Sequence, residues 1–280
     1  MSDPANPETP YVHDEMLRTA LASGDRPSKA GAVSASVTFA WRALLKIKHV
    51  PEQLADVIGI PLLFTLMFTY LFGGALAGST SDYLDFLLPG TLVLAVLFVT
   101  VYSGVTLNRD LSTGAFDRFR SLPIRRISPI TGGLLGDLGR YLLAAALVIG
   151  LGLLMGFRPG GGAAGVAAAV ALAVVFASAL SWVWITLGLV LRTPDAVMTV
   201  GFIVLFPVTF VSNIFVDPRT MPSWLRSFTD VNPVTHLVTA ARELMAGEAP
   251  AAEIGWTLLA AAALIAVFVP LTMRLYYRRS

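Results

Sequence analysis

Polar and apolar residues are segregated along this chain in blocks the length of whole helices. Stretches free of Asp, Glu, Lys and Arg run from Val57 to Ser81, Phe86 to Asn108, Tyr141 to Phe157, Pro159 to Leu191, Ala196 to Val216 and Ile254 to Met273. A helix needs about 20 apolar residues to cross a hydrocarbon layer about 30 Å thick, because each residue advances it by only about 1.5 Å. The pattern therefore predicts an all-α integral membrane protein. Six transmembrane helices are expected at about 57–78, 86–108, 130–157, 163–191, 196–216 and 254–273, within a membrane domain of residues 51–280. The third is predicted to begin early, since residues 127–136 are also uncharged. It then carries Asp137 and Arg140 near its cytoplasmic mouth, three positions apart on one face, where they can neutralise each other.

The segments between these runs are not all plain linkers. Residues 1–30 are rich in Pro, Ser, Asp and Glu and poor in large apolar side chains, the composition of a disordered cytoplasmic tail. Across residues 31–50, Val33, Val37, Ala40, Trp41 and Leu44 recur at helical spacing, while Arg42 and Lys46 take another face. This predicts either an amphipathic connector helix in the inner-leaflet headgroups or a plain positively charged anchor. Both place Trp41, Arg42 and Lys46 on the inner side. In the first inner loop, residues 110–122 predict a short helix with Leu111, Ala115, Phe119 and Leu122 on one stripe; Asp117, Arg118 and Arg120 face elsewhere, and Pro123 stops it. Two readings fit that loop. Phe116 and Phe119 beside arginines suit the groove of a cytosolic partner, and the same helix could instead pack on its own bundle with its arginines on anionic lipid.

In the outer segment 217–253, Asn232 suits an N-cap and Pro233 the first helical position. Val234, Leu237, Val238, Ala241, Leu244 and Met245 then form an apolar stripe ending before Gly247. The stripe predicts a helix lying on or dipping into the outer leaflet, with Arg242 and Glu243 kept near water and His236 solvated or hydrogen-bonded.

Composition agrees with a membrane as solvent: of 280 residues, 55% are hydrophobic and 14% charged, too few charges to cover a soluble surface. Orientation follows from the 20 Lys and Arg, because positive charge beside spans is retained in the cytoplasm. With both termini inside, only Arg158, Arg219, Arg226 and Arg242 fall outside, where residues 217–253 also hold Asp217, Asp230, Glu243, Glu248 and Glu253. The net charge of +2 does not point to nucleic acid, since the basic residues lie between apolar runs and not on one water-facing surface. The chain has no cysteine, and His13, His49 and His236 sit in different segments. Neither a thiol nucleophile nor a metal centre is therefore expected. Lys29, Lys46 and Lys48 are the only lysines and none closes a Gly-rich phosphate loop, so ATP binding of that kind is not expected of this chain. Five of the six predicted spans carry no ionisable acid or base, which leaves proton or sodium coupling without a group to work through. If the chain drives transport, its energy should come from a partner.

The chain resembles, from about Val33 to its end, the permease subunits of ATP-binding cassette exporters of the daunorubicin-resistance type. Gly114-Ala115-Phe116-Asp117-Arg118-Phe119-Arg120-Ser121-Leu122-Pro123 is similar to the family's acid-then-R-x-R-S-L-P loop, and Gly132-Gly133-Leu134-Leu135-Gly136-Asp137 to the Gly-rich stretch that follows it. Asn232-Pro233-Val234-Thr235, with Arg242 downstream, resembles its outer re-entrant segment. The resemblance implies a six-span permease with an amphipathic connector helix, a cytosolic coupling helix and short outer re-entrant helices. It implies that Leu111, Phe116, Asp117, Arg118, Phe119, Arg120 and Leu122 meet an ATPase subunit. It further implies a homodimer in the bacterial plasma membrane, with two soluble ATP-binding cassette subunits docked beneath. Such a chain is not an enzyme by itself and holds no cofactor; ATP and magnesium belong to the partner subunit. Phe64, Phe68, Phe98, Phe202, Phe206 and Phe210 on uncharged spans form a candidate substrate path, suited to amphipathic drugs, antibiotics or lipid-like molecules more than to sugars or ions. A non-transporting membrane scaffold or receptor, and a partner-independent secondary transporter, are the alternatives.

Overall fold

The computed structural model describes residues 51–112 and 128–279. The tail, the connector residues Trp41, Arg42 and Lys46, and Phe116, Asp117, Arg118, Phe119, Arg120 and Leu122 of the inner loop lie outside the described residues. Within them the chain is helical: α1 Pro51–Ala77, α2 Thr80–Ser112, α3 Ser128–Met155, α4 Gly162–Val190, α5 Pro194–Phe210, a 3-10 turn at Pro218–Thr220, α6 Ser223–Val231, α7 Pro233–Ala246 and α8 Ala251–Arg279. Among the described residues four stretches are long and apolar enough to cross a membrane: Thr80–Ser112, Gly133–Met155, Gly162–Val190 and Ala251–Tyr276. Gly59–Ala75 and Pro194–Phe210 are apolar but shorter.

A helix that is hydrophobic all round belongs inside a bundle, and α2 is such a helix. It is surrounded by α1, α3, α4, α5 and α7, and its side chains from Leu87 to Val101 are all buried. α7 tucks between α2, α4 and α8, while α8 packs on the outside of α4 and presents Leu258, Leu259, Ile265, Val267 and Leu271 outward. An apolar exterior of this kind suits acyl chains, so what holds the helices together has to be close packing and internal hydrogen bonds. The α2–α4 contact supplies both. Gly104 and Gly188 lie backbone to backbone: a Cβ on Gly104 would collide with the Trp184 carbonyl, and one on Gly188 with the Gly104 carbonyl. Across the same seam Trp184 Nε1 donates to Thr100 Oγ1 at 2.7 Å.

Among the helix ends that differ from the uncharged runs, three have a clear local reason. α2 begins at Thr80, ahead of Phe86, because Ser79 Oγ accepts the Asp82 amide at 3.0 Å and acidic Asp82 sits in a first turn where the helix dipole favours it. α8 extends from Ala251 to Arg279, past Met273, since an end turn can carry its charges out toward water. α5 stops at Phe210, although the uncharged run continues to Val216. Val211 leaves helical geometry with ψ 52, and residues 212–215 are buried as non-helical backbone. In a membrane such backbone is tolerated only where protein satisfies it, and α2 and α7 do so here.

Candidate functional site

The six phenylalanines singled out in the sequence come from three helices, and the structure brings them to one place. Phe64 and Phe68 of α1, Phe98 of α2, and Phe202, Phe206 and Phe210 of α5 face a common seam. Phe64 meets Phe210 edge-on at 6.0 Å, Phe206 stacks on Phe210 at 4.1 Å, and Phe98 packs on Phe202 at 5.2 Å. Between them lies a wholly apolar cavity of about 80 Å³ lined by Ile60, Pro61, Phe64, Leu94, Phe98, Phe202, Phe206 and Phe210. Phe68 is not in its wall but packs behind Phe64 at 5.8 Å. The spacing explains the stripe: residues 202, 206 and 210 stand one turn apart on α5, so they share a face.

Phe215 belongs to this cluster although the sequence reading passed over it. Its ring lies 5.9, 4.9 and 4.8 Å from those of Phe64, Phe68 and Phe210, at the Phe210 end of the seam. Inside an apolar run it looks like one more span residue. The available signal was Pro207 with Ser212-Asn213, which together end the helix and free the following residues to fold back.

The backbone that carries Phe215 is held from two sides. Tyr83 Oη of α2 donates to the Phe215 carbonyl at 2.9 Å. Asn232 does two things at once: its Oδ1 accepts the Val234 amide at 2.9 Å and so caps α7, while its Nδ2 donates to the Val208 and Val211 carbonyls at 2.7 and 2.6 Å, at the end of α5. Pro233 follows at the first helical position, where a missing N–H costs nothing.

Arg242 corrects the expectation that it stays near water. It turns inward, its Nε donating to the Phe86 carbonyl at 3.1 Å and its Nη2 to the Asn213 carbonyl at 3.0 Å, with the guanidinium 4.0 Å above the Phe86 ring. Burial lowers its pKa to about 10, against the favourable charges of Asp217 and Glu243, so the group remains a cation at neutral pH. The reason is steric as well as electrostatic: α7 buries Leu237, Val238, Ala241 and Met245 against the bundle, and position 242 follows that face. Arg242→Met is expected to cost about 2–4 kcal/mol, since two carbonyls lose a charged donor. Thermal unfolding of the purified protein should show it, with Arg242→Lys losing less. His236 is hydrogen-bonded, its Nδ1 lying 2.6 Å from Glu253 Oε2 and its ring stacked near Trp256.

At the other end of the bundle a buried polar cluster joins α2, α3 and α4. Ser103 Oγ donates to Asp137 Oδ2 at 2.6 Å, Arg140 pairs with the other carboxylate oxygen, and the Tyr141 and Ser181 hydroxyls lie 2.6 Å apart. Asp137 and Arg140 are 5% and 8% exposed, deeper than a mouth position implies. Asn108 Nδ2 donates to the Gly188 and Leu191 carbonyls at 2.9 and 2.8 Å, at the end of α4. Leu111, the one candidate coupling residue among the described residues, lies in the last turn of α2 and packs on a small cluster of Leu107, Ile185, Leu189 and Tyr276. Among the described residues no group of His, Asp and Glu is arranged to hold a metal.

Comparison with known proteins bears on what this arrangement serves. The family pattern described as ABC-2 type transporter matches residues 35–246. The chain is 48% identical, over 100% of its length and 99% of the relative's, to the daunorubicin resistance ABC transporter permease protein DrrB1 of Streptomyces coeruleorubidus. It is 24% identical to the doxorubicin resistance ABC transporter permease protein DrrB of Mycobacterium tuberculosis, covering 74% of this chain and 75% of that one. A bundle with an uncharged aromatic seam, matched over most of its length by one pattern and over all of it by one relative, places this chain in the ABC-2 type transporter membrane family.

Proposed function

We propose that this chain is the permease subunit of an ATP-driven exporter for amphipathic drugs or antibiotics of the daunorubicin kind. The observation that carries this reading is the aromatic cavity between α1, α2 and α5, which has no acid or base in its wall, in a chain 48% identical to a daunorubicin resistance permease. Planar apolar rings fit a lining of phenylalanines, whereas a sugar or an ion would leave its hydrogen bonds unmade there. The buried Asp137 and Arg140 answer each other, and the chain has no phosphate loop. The driving force therefore comes from a separate ATP-binding subunit, which holds ATP and magnesium.

In this reading the membrane domain crosses the bilayer six times, with α1 and α5 as the two shorter spans and both termini in the cytoplasm of a bacterium. Two protomers pair, and two ATP-binding subunits dock on the loop between α2 and α3, against Leu111, Phe116, Asp117, Arg118, Phe119, Arg120 and Leu122. Residues 31–50, with Trp41, Arg42 and Lys46, lie along the inner leaflet as the connector. The outer helices α6 and α7 complete the external face.

The test is ATP-dependent uptake of daunorubicin into inside-out vesicles holding this chain and its ATP-binding subunit. Uptake is expected only with both subunits and ATP. Uptake under an ion gradient without the second subunit, or no uptake under any condition, refutes the reading. Phe116→Asp with Phe119→Asp is expected to abolish co-purification of the two subunits while leaving membrane insertion unchanged; retained co-purification counts against the docking role of that loop.

A further inference from the structure

The way α5 is mounted in the bundle is unlike that of its neighbours. Its buried face is one narrow stripe, Val197, Gly201, Leu205 and Thr209, one residue per turn. Gly201 faces Val101 of α2, the first three carry no polar side chain, and the Thr209 hydroxyl turns back on the Leu205 and Phe206 carbonyls of its own helix. The polar fixings stand at the two ends. Inside, Asn108 of α2 holds the Leu191 carbonyl, three residues before Pro194 opens α5, and the Gly188 carbonyl with it. Outside, Asn232 holds the Val208 and Val211 carbonyls of the last turn. Each asparagine gives both amide hydrogens to orphan carbonyls at a helix C-terminus, the groups that lipid cannot satisfy. Pro207 also leaves the Ile203 carbonyl without its helical donor, which softens the outer half. The α2–α4 contact differs: there glycine backbones touch and Trp184 and Asn108 are bonded across it.

We propose that Asn108 and Asn232 are positioning residues that act as two pivots, on which α5 rolls over α2 and carries Phe202, Phe206 and Phe210 into and out of the aromatic cavity. The end bonds have short reach and keep their partners while the helix turns; the apolar stripe lets it slip, because exchanging one set of methyl contacts for another costs little when no hydrogen bond breaks. The inference rests on the transport reading above, and names the part that moves.

The chain contains no cysteine, so introduced pairs are unambiguous. A Cβ added at Gly201 lies 3.3 Å from the Val101 Cβ, close to disulfide spacing. Val101→Cys with Gly201→Cys therefore bridges the middle of α5 to α2. As a control, Thr186→Cys with Thr272→Cys bridges α4 to α8, where the hydroxyl oxygens lie 2.7 Å apart. In the complex with its ATP-binding subunit, the first bridge is expected to cut ATP-dependent daunorubicin uptake by about tenfold or more, the equivalent of about 1.4 kcal/mol, with recovery on reduction; the second should leave it within about twofold. Uptake that survives the α2–α5 bridge overturns the proposal, as does equal loss with both bridges.

A second readout needs no cargo. The rate at which the 101–201 bridge forms under mild oxidant is expected to change several-fold when ATP is added to the complex. Asn108→Asp and Asn232→Asp, which keep size and lose the donors, should still co-purify with the ATP-binding subunit but abolish that response, while Asn→Gln at either place retains part of it. An ATP response in the aspartate variants equal to the parent's removes the pivots; no ATP response in the parent removes the rolling. A parent complex that moves no daunorubicin yet shows ATP-dependent bridging sinks the cargo reading alone.

Discussion

Asp137→Ala is expected to leave most of the purified protein aggregated, with the remaining monodisperse fraction unfolding at a much lower temperature than the parent. The substitution strands the Arg140 guanidinium, 8% exposed, among α2, α3 and α4, and takes the acceptor from the Ser103 hydroxyl. An uncompensated buried charge costs about 3–5 kcal/mol, a large share of the roughly 5–15 kcal/mol that holds a domain folded. Removing both charges is a different experiment. Asp137→Leu with Arg140→Met replaces the pair by apolar groups of similar volume and is expected to return stability to within about 1 kcal/mol of the parent, because the desolvation of both ions is relieved together. Size-exclusion profiles and thermal unfolding in one detergent compare the three proteins. A single variant as stable as the parent would mean that Arg140 reaches water at that end of the bundle, and that the pair is an adjustable feature of the bundle.

The second large effect is expected at the α2–α4 seam. Gly104→Val sets a branched side chain against the Trp184 backbone carbonyl, and since the obstacle is backbone, no rotamer change relieves it. The helices have to part. In doing so they forfeit the Trp184–Thr100 and Asn108–Gly188 hydrogen bonds along with the close contact, so the cost exceeds the roughly 1–3 kcal/mol of ordinary overpacking. Gly188→Val meets the Gly104 carbonyl and should behave alike. Gly150→Ala on α3, where an added Cβ has open space, is the control and is expected to match the parent in yield and unfolding temperature. Folded protein in quantity from Gly104→Val would show that α4 can shift along α2, contrary to the stiffness assigned to that pair.

Among the described residues each uncharged run carries a helix, residues 211–216 after α5 being the main exception, and the reason is general: a hydrocarbon solvent offers no partner to backbone N–H and C=O groups, so long apolar runs close their hydrogen bonds within the segment. Caps were readable for the same kind of reason. Asn232-Pro233 and Gly247 mark the two ends of α7, because an amide that accepts, a ring without an N–H and a residue free to adopt φ 96 act over a few neighbouring residues. The aromatic path was half readable. Residues 202, 206 and 210 share a helix face by spacing alone, but nothing along the chain states that α1 supplies Phe64 opposite them.

What tertiary structure decided are the relations between residues far apart in sequence. Arg242 turns inward because carbonyls of Phe86 and Asn213, 156 and 29 positions away, are there to accept from it, whereas an isolated α7 would leave it in water. Phe215 joins the aromatic cluster only because α5 ends early, where Asn232 takes the carbonyls of its last turn. Asn108 reaches α4 by the same chemistry across 80 residues. Local pattern determines which segments are helices and which face of each is apolar; how an orphan carbonyl is satisfied depends on what another helix brings to it, and that is settled only when the helices pack.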